Sequence, residues 1–162
     1  MALEFKKLRD FPRGTMLALL RDAYSFEPRF ERDWLGSWQE FDDFFHGNPH
    51  IAERSGFMTV LNGEPIGFVT WDPRQLPDLI EVGHNCIAAA HKGKGYGRLQ
   101  MQEAVRRMKE QGAKKIVVCT NEVLVPAQHT YESAGFAFVK KAEEPFCAEY
   151  AGKRMYYEIQ VQ

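Results

Sequence analysis

The spacing of apolar residues changes several times along the chain, and each change marks an element. Leu3, Phe5 and Leu8 give a short first strand over Leu3–Leu8. From Thr15 to Phe26, Met16, Leu19, Leu20 and Ala23 recur every three or four positions, which predicts a helix capped by Thr15. Pro28 interrupts it. A second helix is predicted over about Glu31–Phe45, where Trp34, Trp38, Phe41 and Phe45 form one aromatic stripe and Glu31, Asp33, Glu40, Asp42 and Asp43 crowd around it. Ser55–Leu61 and Ile66–Trp71 are strand-like runs around Asn62-Gly63-Glu64-Pro65, a strong hairpin signal. Prolines make Asp72–Asp78 a loop.

Leu79–Ala88 is short, apolar and partly alternating, as a strand would be. From Gly97 to Gln111, Met101, Ala104, Val105 and Met108 return to helical spacing, and Gly112 ends that helix. Lys115–Thr120 reads as a buried strand. Strand, turn, helix and strand in that order form a right-handed crossover, so the two strands should be parallel. Pro126 opens a short helix that stops at Gly135, and Phe136–Val139 and Met155–Val161 close the sheet. The sum is a mixed α/β architecture, with residues 1–162 as one domain.

Composition narrows the class. Hydrophobic residues make up 44% and charged residues 27% of the 162, an ordinary globular balance, and a net charge of -1 argues against a general nucleic-acid or membrane-surface binder. Three cysteines, Cys86, Cys119 and Cys147, have no C-x-x-C spacing, so neither a disulfide scaffold nor a zinc cluster is expected. His46 and His50 flank Gly47-Asn48-Pro49, which cannot present both imidazoles from one helix, so no metal site is expected. No signal-peptide pattern or long apolar segment is evident, which gives the expectation of a soluble cytoplasmic protein.

Chemistry concentrates in His91-Lys92-Gly93-Lys94-Gly95-Tyr96-Gly97-Arg98, between the Leu79–Ala88 strand and its helix. Glycine lets the backbone approach a ligand and take positive φ, and a helix start offers unpaired N–H groups. Lys92, Lys94 and Arg98 add cationic donors, so the turn suits a phosphate. It lacks the spacing of a Walker loop, and Arg98 stands where a dinucleotide fingerprint needs its third glycine. A second pattern follows: Asn121, then Ala127-Gln128-His129-Thr130-Tyr131-Glu132-Ser133-Ala134-Gly135-Phe136.

Together these resemble the two signatures of the GNAT superfamily of N-acetyltransferases: Arg/Gln-x-x-Gly-x-Gly/Ala at Lys92–Gly97, with Lys in the first place, and Asn…Ala-x-x-x-Tyr-Glu-x-x-Gly-Phe from Asn121. The resemblance implies a mostly antiparallel mixed sheet with a central splayed parallel pair and flanking helices. It implies acetyl-CoA as co-substrate and no metal. Its pyrophosphate would lie on Lys92, Gly93, Lys94, Gly95, Tyr96, Gly97 and Arg98, and its pantetheine arm along the backbone of Cys86, Ile87, Ala88 and Ala89, with Asn121 and Ala127 as further contacts. Tyr131 would serve the leaving thiolate.

Acetyl transfer to an amine also needs a base. Alternation puts Glu81, Gly83 and Asn85 on one strand face and Ile80, Val82, His84 and Cys86 on the other. Glu81 stands fourteen positions before Gly95, where some GNAT enzymes carry a base glutamate, whereas His84 has the better unperturbed pKa; both stay open. The helical aromatic stripe and carboxylates, Asp42 and Asp43 above all, would favour a cationic acceptor, with Phe146, Glu149 and Tyr150 at its rim. The expected function is N-acetylation of a small-molecule or peptide amine by direct transfer in a ternary complex. A non-catalytic acyl-CoA-binding module of the same fold and a nucleotide-binding protein using the same turn are the alternatives. The resemblance allows a homodimer, but no segment specifies one.

Overall fold

The computed structural model describes residues 2–145 and 149–161. Its strands are β1 (Leu3–Lys6), β2 (Gly56–Leu61), β3 (Glu64–Asp72), β4 (Ile80–Ile87), β5 (Lys115–Asn121), β6 (Ala137–Pro145) and β7 (Lys153–Gln160). Its helices are α1 (Thr15–Ala23), α2 (Pro28–Gly47), α3 (Pro49–Arg54), α4 (Tyr96–Glu110) and α5 (Val125–Ser133). The expected mixed α/β fold is observed, with strand order β1-β2-β3-β4-β5-β7-β6. Only the β4–β5 pair is parallel among the registers described, joining Ile80 to Ile116 and Glu81 to Val117.

The chain forms two compact units. One runs to Thr70 and resumes over His84–Gln100; the other holds Trp71–Gly83 and the chain from Met101. In the first, β1, β2 and β3 form an antiparallel ribbon whose hairpin has Asn62 at φ 50° and Gly63 at φ 84°. Two positive φ values define the tight turn that Asn-Gly favours. A bulge between Thr59 and Val60 sets Thr59 opposite Gly67. Helix α2 starts at Pro28 rather than near Glu31, because proline suits a first helical position and the Glu27 carboxylate accepts the Arg29 N–H at 3.1 Å. Tyr24 packs on Phe30 and stacks on Trp38 at 5.4 and 5.6 Å; of the aromatic stripe Trp38 is buried, and Trp34, Phe41 and Phe45 are half-buried.

Helix α1 starts at Thr15, but Thr15 is not its cap. Its hydroxyl donates to the Pro12 carbonyl, while the buried Asp42 carboxylate accepts from Gly14 N–H at 2.8 Å and Leu17 N–H at 3.3 Å. A carboxylate from α2 therefore satisfies the positive end of α1.

In the second unit β5 and β6 flank β7, and α4 buries Met101, Ala104, Val105 and Met108, the predicted stripe. Strand β6 extends well beyond the expected Phe136–Val139. A register shift between Phe138 and Lys140 leaves Phe138 and Val139 exposed. Phe146 and Cys147 lie outside the described residues.

Candidate active site

Strand β4 ends at Ile87, a single 3-10 turn spans Ala89–His91, and α4 begins at Tyr96. Between them Gly93 and Gly95 take φ of 74° and 89°, and no atom lies within 4 Å of where a Cβ would stand on either. Gly93, Lys94, Gly95 and Arg98 are exposed. The opening amides of the fifteen-residue helix α4 have no carbonyl one turn earlier within it to accept from them. An open, cation-bearing turn leading into these amides fits a pyrophosphate.

Four predicted contacts are used otherwise. Tyr96 is buried with Leu61, Ile66 and Ile87, so its ring anchors the turn in the core and only its backbone can face a ligand. The Lys92 ammonium donates to the Ala23 carbonyl at the end of α1 and lies 4.8 Å from the Phe26 ring, rather than over the glycines. Ala88 N–H donates to Ile66 O at 2.7 Å and Ala89 N–H to Asp22 Oδ2 at 2.7 Å, so neither amide is available to a thioester. The sheet and α1 take up these donors first.

Along β4, Ile80 and Val82 are buried while Glu81 and Gly83 are exposed, as alternation requires. His84 and Asn85 are both half-buried, because elements cover both faces at that level. The His84 ring lies 4.3 Å from Phe41, and its backbone N–H donates to Thr70 Oγ1 at 3.1 Å. Burial pushes the His84 pKa down to about 4. The imidazole is therefore neutral at neutral pH. Its ring is packed against Phe41 while the Glu81 carboxylate is exposed on the same strand, which favours Glu81 between the two candidates.

The same shift predicts acid lability. The unfolded chain binds a proton at His84 near pH 6.5 and the folded chain near pH 4, so stability is complete above pH 6.5 and falls as pH drops through that window. Relative to His84→Phe, which keeps a ring against Phe41, the wild type should lose about 3 kcal/mol between those limits. Urea unfolding at a series of pH values measures the difference.

Cys86 is buried and its thiol is pushed up to about 12 by desolvation, which makes it inert as a nucleophile. Asn121 is buried as well. Its Oδ1 accepts from Val123 and Leu124 N–H at 3.2 and 3.1 Å, capping the loop before α5. Its Nδ2 has no partner among the described residues. Tyr131 is buried in α5 with its ring 5.7 Å from Phe136, and Ala127 is half-buried. Glu81, Asn121, Ala127 and Tyr131 belong to the second unit, and His84, Cys86–Ala89 and Lys92–Arg98 to the first.

Four of the five acidic residues singled out around α2 are engaged within the protein, and Glu40 is exposed. Asp42 is taken up by α1, and Asp43, Glu31 and Asp33 pair with Arg13, Arg21 and Arg32. A cavity of about 170 Å³ beside α1, lined by Leu8, Phe11, Met16, Phe45 and Met58 among others, touches none of the predicted site residues of the cofactor turn or of β4. Sequence reasoning also missed Gln100, which is fully buried and bonds to β2, β3 and β4. A lone glutamine within a helical stripe carries no signal of that role. Among the described residues no three His, Cys, Asp or Glu are grouped to hold a metal, and no helix is long and apolar enough to cross a membrane.

This arrangement, a parallel pair whose connection is a glycine turn feeding a helix, defines a class of phosphate-binding α/β proteins. The chain belongs to the acetyltransferase (GNAT) family, whose sequence model matches residues 15–136. Streptothricin acetyltransferase of Streptomyces lavendulae is 36% identical over 93 residues, 54% of this chain and 47% of that protein, so the chain spans about half the length of the curated relative it matches. The paiA N-acetyltransferase of Thermoplasma acidophilum, solved with coenzyme A, superposes with a TM-score of 0.79 over 99% of this chain and 100% of its own at 13% identity. The yncA protein of Salmonella typhimurium, solved with acetyl-CoA, gives 0.78 over 100% and 95% at 12% identity. These two likenesses establish the fold.

Proposed function

We propose that residues 1–162 act as one domain that transfers an acetyl group from acetyl-CoA to a primary amine, directly and within a ternary complex. The open turn at Gly93 and Gly95, feeding the start of α4, carries this reading. Amides from Gly93 to Arg98 would hold the pyrophosphate, with Lys94 and Arg98 as its mobile cations. The unpaired Asn121 Nδ2 is a buried donor suited to the pantetheine arm, and Ile87, Ala127 and the Cys86 backbone would lie along it. Lys92 ties the turn to α1 instead of binding phosphate. Bound acetyl-CoA supplies an activated acetyl thioester.

Glu81 takes the amine proton, directly or through water, because it is exposed on β4 while the His84 ring is packed against Phe41. Tyr131 hydrogen-bonds the departing thiolate. The inert Cys86 thiol removes the most obvious route to an acyl-enzyme and favours direct attack. Streptothricin acetyltransferase, by its name, acetylates streptothricin, which makes that compound the first acceptor to test, beside simple polyamines.

The test is thiol release from acetyl-CoA against a broad amine panel. At least one amine should drive release, and Glu81→Gln should lower kcat/KM about 10²-fold. CoA binding without release on any amine would favour the non-catalytic module. Competition by ATP or NAD would point to a nucleotide site.

A further inference from the structure

Gln100 lies fully buried in the second turn of α4, among groups whose hydrogen-bond polarity is fixed. Its Nε2 is 2.9 Å from Phe68 O and 3.2 Å from Cys86 O. Backbone carbonyls only accept, so that end of the amide must be the NH2 group. Its Oε1 then faces Thr59 Oγ1 at 2.6 Å and accepts the hydroxyl proton. The opposite orientation would set the amide oxygen against both carbonyl oxygens. Gly67 keeps the passage open, since a Cβ there would stand 3.0 Å from Gln100 Oε1.

The same Nε2 lies 2.7 Å from Asn85 Oδ1. A donor on Gln100 requires an acceptor on Asn85, which fixes the second amide too. Asn85 Nδ2 must therefore face away from Gln100, and no described residue accepts from it. Asn85 is half-buried on the C-terminal half of β4, immediately before Cys86. Next to it the strand is short of donors, since Ala88 and Ala89 N–H groups are already bonded to Ile66 O and Asp22. An oriented amide with a spare N–H stands where backbone donors have been withdrawn.

We propose that the Asn85 carboxamide is a ligand-binding donor for a carbonyl oxygen of the acyl-pantetheine arm, with Thr59 and Gln100 as the positioning residues that fix its orientation. The proposal rests on the acetyl-CoA reading above. The arm offers two kinds of carbonyl, its amides and its thioester. A donor preset by a buried relay loses little freedom on binding, which strengthens its contribution.

Asn85→Asp is the decisive variant. A carboxylate still accepts from Gln100 Nε2, so the buried network is kept, but the outward donor is gone. Calorimetry with CoA and steady-state thiol release on the best amine are measured together, with melting temperature as the check on folding. CoA affinity weakened about 3- to 10-fold at unchanged kcat assigns Asn85 to a pantetheine amide. Unchanged CoA affinity with kcat lowered by a similar factor assigns it to the thioester. Thr59→Val, which leaves Asn85 intact but unlocks Gln100, should reproduce the same pattern more weakly. A folded Asn85→Asp protein with wild-type CoA affinity and kcat overturns the proposal. If the carboxylate variant does not fold, Asn85→Leu replaces it, with the same two measurements and the same overturning result. Absence of CoA binding to the wild type would instead overturn the reading on which it rests.

Discussion

Replacing Tyr131 by Phe is expected to lower kcat about 10²-fold and leave CoA affinity nearly unchanged. The ring is buried in α5, edge-on to Phe136 at 5.7 Å and 6.2 Å from Tyr157. Gly135, at φ 102°, turns the chain so that Phe136 N–H donates to Tyr131 O at 3.0 Å. Phenylalanine preserves this packing, so the substitution isolates the hydroxyl. Full proton transfer from a phenol near pKa 10 to a thiolate near 8.5 would be uphill by about 2 kcal/mol. A hydrogen bond that strengthens as charge develops on sulfur avoids that cost. The loss should therefore fall on kcat, and it should shrink for thioesters whose thiols are more acidic. Thiol release across a series of acyl donors, with calorimetry of CoA, measures both. A kcat equal to the wild type would remove Tyr131 from the chemistry.

What the sequence discloses depends on how local its physics is. The hairpin at Asn62-Gly63, the crossover from β4 to β5 and the glycine turn all follow from neighbours in the chain, and all are observed. Helix α3 is absent from the sequence reading, because Asn48-Pro49 reads as a break although proline also opens a helix. Asp42 reads as a substrate carboxylate, yet it caps α1 from a position 28 residues distant in sequence. Gln100 and Asn85 escape notice for the same reason: a buried polar pair leaves no periodic mark. The donors at Ala88 and Ala89 read as free because their acceptors, Ile66 O and Asp22, come from elements far along the chain. Motif reading thus finds the glycine turn between β4 and α4 and misses the residues that orient its surroundings.

The long-range network yields the second large effect, in which one substitution changes sign with its surroundings. Alanine for glycine ordinarily stabilises a regular element by about 0.5–1 kcal/mol through the entropy of the unfolded chain. Gly36, within α2, has nothing within 4 Å of a built Cβ and no positive φ, so Gly36→Ala should show that gain. Gly67 in β3 is likewise free of positive φ, but a Cβ there would stand 2.4 Å from Cys86 O and 2.7 Å from Ile87 Cδ1. The carbonyl cannot retreat easily, since it belongs to β4 and accepts from Gln100 at 3.2 Å. Strand β4 must shift, and with it the neighbouring Asn85. Gly67→Ala should cost about 3 kcal/mol and lower Tm by roughly 6–12 °C. Thermal and urea unfolding of the two variants side by side supply the check. Equal shifts in the same direction would mean that β3 and β4 approach less closely than the 2.4 Å contact requires. Opposite shifts would place a tight backbone contact beside the strand that carries Asn85, where a displacement of a few tenths of an ångström alters hydrogen bonding to a ligand as well as stability.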